Sequence, residues 1–246
     1  MCLRITRVEF AVTWACTGQC KHCSMGEVEN KREHIDYAKL AGMLARIKTK
    51  QPITSVMCFG GEPLLHPDDV CAIFTEAKRV GIHKRQLITN GFFSRASVSS
   101  SREKITAATD KLNQCATEIL LSVDAFHQDS IPLEPVQAFA NSAKHVRLHP
   151  AWLVSPADDN PWNRRTREIL TRFPGVPVSD GNVVFPRGNA LKYLREYFPG
   201  DLPRRSPYEE EPGHVTSLFV CPNGDVHAAG ITIGNAYRDD ILEMLR

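Results

Sequence analysis

No apolar run in the 246-residue chain approaches the ~20 residues that would span a bilayer, so no membrane partner is expected. No charge of one sign dominates either. The 30 Lys and Arg against 28 Asp and Glu leave a net charge of +2, which makes no electrostatic case for a nucleic-acid partner. The opening Met1-Cys2-Leu3-Arg4 has no apolar signal region, and a cytoplasmic location is the expectation. What is present is ordinary for a globular protein: hydrophobic residues at 42% and charged ones at 24%. The length suffices for one barrel or open-sheet domain with a substantial core.

Cysteine is where the sequence is uneven. Three of the 8 cysteines, Cys16, Cys20 and Cys23, fall in the stretch CTGQCKHC. It follows an alternating run, Leu3 to Trp14, that predicts a first strand with Val8, Phe10, Val12 and Trp14 on one face and small side chains on the other. Three thiolates on one short loop can each bind a different iron of a [4Fe-4S] cube, which ordinarily has four protein cysteines, so one iron is left open. Two other readings compete. A zinc tetrahedron could add His22, although neighbouring side chains such as His22 and Cys23 converge poorly on one ion. An even cysteine count also permits disulfides, which a chain of this length does not need.

Further along, the polar segment Glu27 to His34 is expected to be exposed, and Asp36 to cap a helix carrying Leu40, Met43, Leu44 and Ile47. A second strand, Ser55 to Phe59, runs into Gly60-Gly61-Glu62-Pro63. The glycines let a ligand approach the backbone and Glu62 adds a carboxylate, while a plain turn is the alternative. His66 and Pro67 read as cap and first residue of a helix with Val70, Ile73, Phe74 and Ala77 inward, Cys71 a buried thiol and Gly81 the stop. A third strand, Arg85 to Thr89, ends in the turn Asn90-Gly91. After a Ser-rich connection (94–101) and a helix from about Arg102 to Cys115, a fourth strand runs from Glu118 to Asp124. It would place Ser122 and Asp124 on one face, needing partners there. His127 and Gln128 follow on a loop, His127 being a candidate catalytic residue. Pro135 starts the next helix, a fifth strand spans Val146 to Val154, Asn160-Pro161 opens a helix, and a sixth strand fits Val176 to Phe185 with a break at Asp180-Gly181. Asn189 to Phe198 reads as the last core helix.

The Cys-x-x-x-Cys-x-x-Cys loop, with GGEP one strand–helix–strand unit later, resembles the radical S-adenosylmethionine (radical SAM) enzymes. The resemblance implies an α/β fold, a partial (β/α)6 TIM-like barrel, with its site at the C-terminal strand ends. It implies that Cys16, Cys20 and Cys23 hold a [4Fe-4S] cluster whose open iron takes SAM, and that reductive cleavage yields a 5′-deoxyadenosyl radical. It gives Gly60, Gly61 and Glu62 the methionine ammonium of SAM, and makes Thr89 and Asn90 pocket residues. Ser122 and Asp124 would contact the carboxylate and ribose of SAM, with internal hydrogen bonding as the equal alternative. An external flavodoxin- or ferredoxin-like electron donor and a peptide or small-molecule substrate are the expected partners. A glycyl-radical-enzyme activase and a non-catalytic iron–sulfur protein are the alternatives.

The domain reading is a core over 1–198, a Pro-rich linker over 199–213 and a tail over 214–246. The tail, LFVC and VHAA around PNGD and then a short helix, resembles a SPASM or twitch region as a hairpin-and-helix extension. It departs from that pattern by holding only Cys221, so no auxiliary cluster is expected unless Cys2, Cys58, Cys71 or Cys115 converges on it.

Overall fold

A computed structural model describes residues 3–26, 32–93, 98–202, 210–211 and 213–245, with the side chains of 3 and 98–101 excepted. Strand β1 (Leu3–Thr13) is buried on both faces along its second half, at Val8, Phe10, Ala11, Val12 and Thr13, as a central parallel strand must be. β2 (Ser55–Gly60), β3 (Lys84–Thr89), β4 (Glu118–Leu121) and β5 (Val146–Leu148) then add in sequence order, each parallel to the last. The register aligns Phe10, Cys58, Leu87, Ile119 and Val146 in one row facing the main hydrophobic core. Helices α1 (Tyr37–Leu40), α2 (Met43–Lys48), α3 (Pro67–Arg79), α4 (Val98–Cys115) and α5 (Leu133–Ser142) supply the other side of that core. The adjacent row, Glu9, Met57, Gln86 and Glu118, points to the opposite, concave face.

Several expected elements change in detail. The helix after Asp36 is two helices, because Gly42 adopts φ +86° between α1 and α2. Asp36 makes no capping bond, and its carboxylate lies 3.1 Å from Lys39 instead. The buried Glu76 of α3 takes over at the break, accepting from Gly42 N (3.0 Å), Ala45 N (3.3 Å) and the Tyr37 hydroxyl. His66 likewise makes no side-chain cap, Pro67 alone setting the start of α3. Cys71 is half-buried rather than buried, a free thiol in hydrogen-bond contact with that of Cys115. α4 begins at Val98, four residues before the expected Arg102; residues 94–97 of the expected connection, and 27–31 of the earlier polar segment, lie outside the described residues. α5 starts at Leu133, so Pro135 sits inside its first turn.

The fifth and sixth strands pair in two pieces. Leu148 bridges to Val178, and β6 (Ala151–Trp152) pairs parallel with β7 (Asn182–Val183). Pro150 has no N–H to give to a ladder, and its carbonyl, accepting from Asn182 N at 2.9 Å, presses so close that a Cβ on Gly181 would meet it at 2.1 Å. The break anticipated at Asp180-Gly181 is thus matched to one in the partner strand. α6 (Pro161–Leu170) is capped by Asn160, which accepts from Asn163 N at 2.9 Å. α7 (Asn189–Tyr193) is shorter than the expected last core helix, a 3-10 turn (Arg195–Tyr197) following it.

The tail has the expected hairpin and short helix, and its strands extend the core sheet. β8 (Val215–Val220) joins the free edge of β1 in parallel, and β9 (Asp225–Ala228) and β10 (Ile231–Asn235) continue antiparallel, giving one eight-stranded sheet. The β8–β9 turn is the expected one at Asn223-Gly224, with Gly224 at φ +87°. The short helix α8 (Ile241–Met244) ends the chain's described part, and of the linker, 203–209 and 212 lie outside it.

Replacing Glu76 by Ala leaves two backbone donors and a phenol without their acceptor, at a cost of about 2–3 kcal/mol. A urea melt of the cluster-loaded protein should show the unfolding free energy fall by that amount, and Glu76→Gln should recover more than half of it.

Candidate metal and cofactor site

The C-terminal ends of β1 to β4 meet at one place, and glycine is what brings them together. A Cβ on Gly60, whose φ is +129°, would lie 2.6 Å from Thr13 O, and one on Gly61 would lie 2.0 Å from Ala15 O. Gly61 N donates to Thr13 O and Glu62 N to Ala15 O, each at 2.7 Å. The close approach expected of a ligand is therefore made by the chain itself. It fixes the root of the cysteine loop.

Glu62 follows with no exposed surface. Its carboxylate accepts from Leu64 N (2.9 Å), Thr89 Oγ1 (2.6 Å) and Asn90 N (2.8 Å). Burial outweighs these donors and pushes its pKa up to about 7. Two carboxylate oxygens offer about four acceptor positions, so one remains. Asn90 also reaches the loop, its Nδ2 donating to Thr17 Oγ1 at 3.1 Å and lying 3.8 Å from Cys16 Sγ. Thr17 Oγ1 in turn donates to Phe92 O. Thr89 and Asn90 hold Glu62 and the loop together.

The loop closes on its own backbone and on α7. Cys23 N donates to Cys20 O (3.2 Å), and Asn189 donates its Nδ2 to Cys20 O (3.1 Å) and its N to Cys23 O (2.9 Å). Asn189 was not legible as a site residue, since it is distant in sequence and carries no motif. Burial, then the charge of Glu62 and that of Cys23, push the Cys16 thiol up to about 11. Cys20 is raised by burial, then by Asp124, Cys16 and Cys23. The three thiols lie within one another's field, where a metal that draws off their protons relieves the repulsion.

The competing readings fit less well. Cys16, Cys20, Cys23, Cys58, Cys71, Cys115 and Cys221 are all free thiols. Among the described residues, the His, Cys, Asp and Glu groups whose ligand atoms lie within 4.8 Å of one another are His22 with Asp124 and His127, and His34 with His66 and Asp69. The three loop sulfurs are not such a group, although a single zinc ion at about 2.3 Å from each would require it. Three separated thiols on one loop fit the three irons of an open cube.

Beyond β4 the structure corrects the placement of two site candidates. The strand ends at Leu121, so Ser122 and Asp124 lie past it. Ser122 is buried, and its backbone N donates to Thr89 O at 2.8 Å. Asp124 is fully buried and saturated: it accepts from Phe126 N and His127 N (2.9 Å each), His127 Nδ1 (2.7 Å) and Ala151 N (2.9 Å). Burial opposes its charge, yet His127 and these donors hold its pKa well below the usual carboxylate range. Of the two readings of Asp124, internal hydrogen bonding is the one the geometry supports. It orients His127, whose ring lies 4.7 Å from that of His22. His22 packs against Phe126 (4.9 Å), and burial followed by His127 lowers its pKa to about 4. It is a neutral flat ring beside the loop, with its buried Nδ1 unpartnered.

The family profile described as the Radical SAM superfamily matches residues 11–147, more than half of the chain. The chain belongs to the radical SAM superfamily. Similar solved structures include native anSMEcpe with bound AdoMet (14% identity, TM-score 0.60, covering 99% of this chain and 80% of that one). SuiB of Streptococcus suis bound to precursor peptide SuiA gives 13% identity and TM-score 0.57 over 98% of this chain and 64% of SuiB. BtrN in complex with AdoMet and 2-DOIA gives 13% and 0.53 over 98% and 82%. At such identities the likeness is one of fold. No curated protein matches the sequence. Cys221, where related tails are expected to hold clusters, is buried beside Asp225 and Glu33, whereas Cys58, Cys71 and Cys115 adjoin one another under α3 and α4.

Gly61→Ala drives a methyl into the carbonyl of Ala15 and should displace the cysteine loop of this radical SAM protein. Iron per chain after anaerobic reconstitution should fall several-fold with little change in far-UV circular dichroism. Gly200→Ala, where a Cβ meets nothing within 4 Å, should load as the parent does.

Proposed function

We propose that the protein is a radical SAM enzyme in which Cys16, Cys20 and Cys23 hold a [4Fe-4S] cluster and Glu62 receives the ammonium of SAM. The observation that carries this is the last acceptor position of Glu62. Three donors lock the carboxylate, one lone pair is left, and the group is close enough to Cys16 for its charge to raise the thiol. When bound, the cluster supplies the electron that splits SAM into methionine and a 5′-deoxyadenosyl radical, which takes hydrogen from the substrate.

The chain's own residues do the rest. Thr89 and Asn90 orient Glu62, and Gly60 and Gly61 hold that strand end against the loop root. A cation at Glu62 would favour its charged form, offsetting the cost of burying it. Ser122, whose backbone is tied to Thr89, offers its hydroxyl to the cofactor. Asp124 serves as a positioning residue: it fixes the Nδ1 side of His127 and so leaves Nε2 as the group that can exchange a proton with substrate. An external flavodoxin- or ferredoxin-like donor provides reducing electrons, and the setting is cytoplasmic. Peptide or small metabolite is the substrate class, a reading supported by neighbours seen with precursor peptide SuiA and with 2-DOIA.

Anaerobic incubation with SAM and dithionite should yield 5′-deoxyadenosine and methionine in equal amounts. Cys20→Ala should lose both products together with the iron. Glu62→Gln should keep its iron but bind SAM at least about tenfold more weakly in equilibrium dialysis, or ~1.4 kcal/mol. A brown, iron-loaded protein that leaves SAM intact would reduce the chain to a non-catalytic iron–sulfur protein.

A further inference from the structure

The concave face of the sheet carries a cavity of about 440 Å³, most of whose wall comes from the tail: Glu210, Phe219 and His227 face Glu9 and Phe59 of the core, and Arg187 completes it. The register explains this, because Glu9 pairs with Phe219 and Phe219 with His227, extending the inward row of the barrel into the tail. Phe219 packs on Trp14 at 6.4 Å and Phe59 at 5.6 Å, and Arg187 immediately precedes the Gly188-Asn189 pair that contacts the backbone of Cys23 and Ser24. The cavity therefore adjoins the cysteine loop.

Its chemistry is that of a site for a cation. Glu9 lies 2.8 Å from Arg7 Nε, but off the line a hydrogen bond needs: that buried nitrogen has no hydrogen-bond partner, and Glu9 receives no hydrogen bond among the described residues. The other Arg7 contact runs from its Nη2 to Met57 Sδ at 3.0 Å. Glu210 is a fixed negative charge, its carboxylate accepting from the N and hydroxyl of both Thr216 and Ser217. Burial, and the proximity of Glu210, raise the pKa of Glu9, with Arg7 opposing them. Arg187 is a cation in the same wall; it and Glu210 each have a further interaction, and His227 Nδ1 is 3.1 Å from Thr232 Oγ1. What the wall offers inward is a carboxylate held by one off-line ion pair with Arg7, a second carboxylate behind it, and aromatic faces to which a cation is attracted.

We propose that this cavity is the substrate pocket and that it takes an alkylammonium group, such as a primary amine or a lysine side chain, between Glu9 and the ring of Phe219. The radical SAM reading enters only in calling the occupant a substrate. The probe is n-butylammonium, compared with 1-butanol and butyrate, in ligand-detected NMR titrations of the cluster-loaded protein without SAM. The amine should bind at least about tenfold more tightly than either analogue, and Glu9→Gln should bring it to the level of the alcohol. Phe219→Leu and Glu210→Gln should each weaken the amine alone, and they decide the matter should Glu9→Gln fail to fold. Equal binding of amine and alcohol, or amine affinity unchanged in folded Glu9→Gln, overturns the proposal. Because no SAM is present, an amine-selective pocket in a protein that fails to cleave SAM would leave the site standing and remove only the reaction.

Discussion

The site depends on one backbone contact: the end of β2 pressed against the root of the cysteine loop, with Gly61 N on Thr13 O and Glu62 N on Ala15 O. No residue with a side chain fits at Gly61, since its Cβ would overlap Ala15 O. This contact places Glu62 beside the thiols before any metal arrives. The carboxylate and cysteines that would share a cofactor come from segments about forty residues apart, and only the parallel pairing of β1 with β2 puts them side by side. Without it the cysteine loop would have no carboxylate held beside it.

The sheet separates two tasks by face. The outward row from Val226 through Val220, Phe10, Cys58, Leu87, Ile119 and Val146 is apolar and packs against the helices. The inward row from His227 through Phe219, Glu9, Met57, Gln86 and Glu118 is polar and aromatic. Such an interior gives up packing stability, which the helix side must supply, in exchange for a lining that can recognise a ligand. By adding its strands on the β1 edge, the tail lengthens both rows at once.

Local patterns with a short physical reach were legible. The cysteine spacing, the glycine pair before Glu62, the helix start at Asn160-Pro161 and the Asn223-Gly224 turn all concern a few adjacent residues; the last two form as read, and the glycine pair admits the chain's own backbone where a ligand was expected. What was not legible depended on distant pairing. That β8 would join β1 rather than stand apart is decided by a free strand edge seeking hydrogen bonds, which no window of sequence displays. Asn189 is silent for the same reason, since its role is to donate to the carbonyls of Cys20 and Cys23 from far along the chain. Asp124 misled in a different way. Alternation suggested a strand through Asp124 and left ligand contact and internal hydrogen bonding as equal alternatives; the strand stops at Leu121, and a short polar side chain just past a strand end is drawn to nearby backbone N–H groups, which Phe126 and His127 supply.

The same competition explains how the charged groups at this end of the barrel differ. Asp124 has its four donors, so its charge is already compensated and a further ligand gains little from it. Glu62 has three and Glu9 has only an off-line guanidinium, and both are raised by burial. A carboxylate held in a dry place with unfilled acceptor positions stays costly until a donor or cation arrives, and the cost it sheds at that moment adds to the affinity. Counted by donors, Asp124 is saturated, Glu62 keeps one open position, and the half-buried Glu9 is held by its ion pair with Arg7. That difference follows from the hydrogen bonds and the ion pair, and it leaves Glu62 as the carboxylate with an open acceptor position beside the cysteine loop.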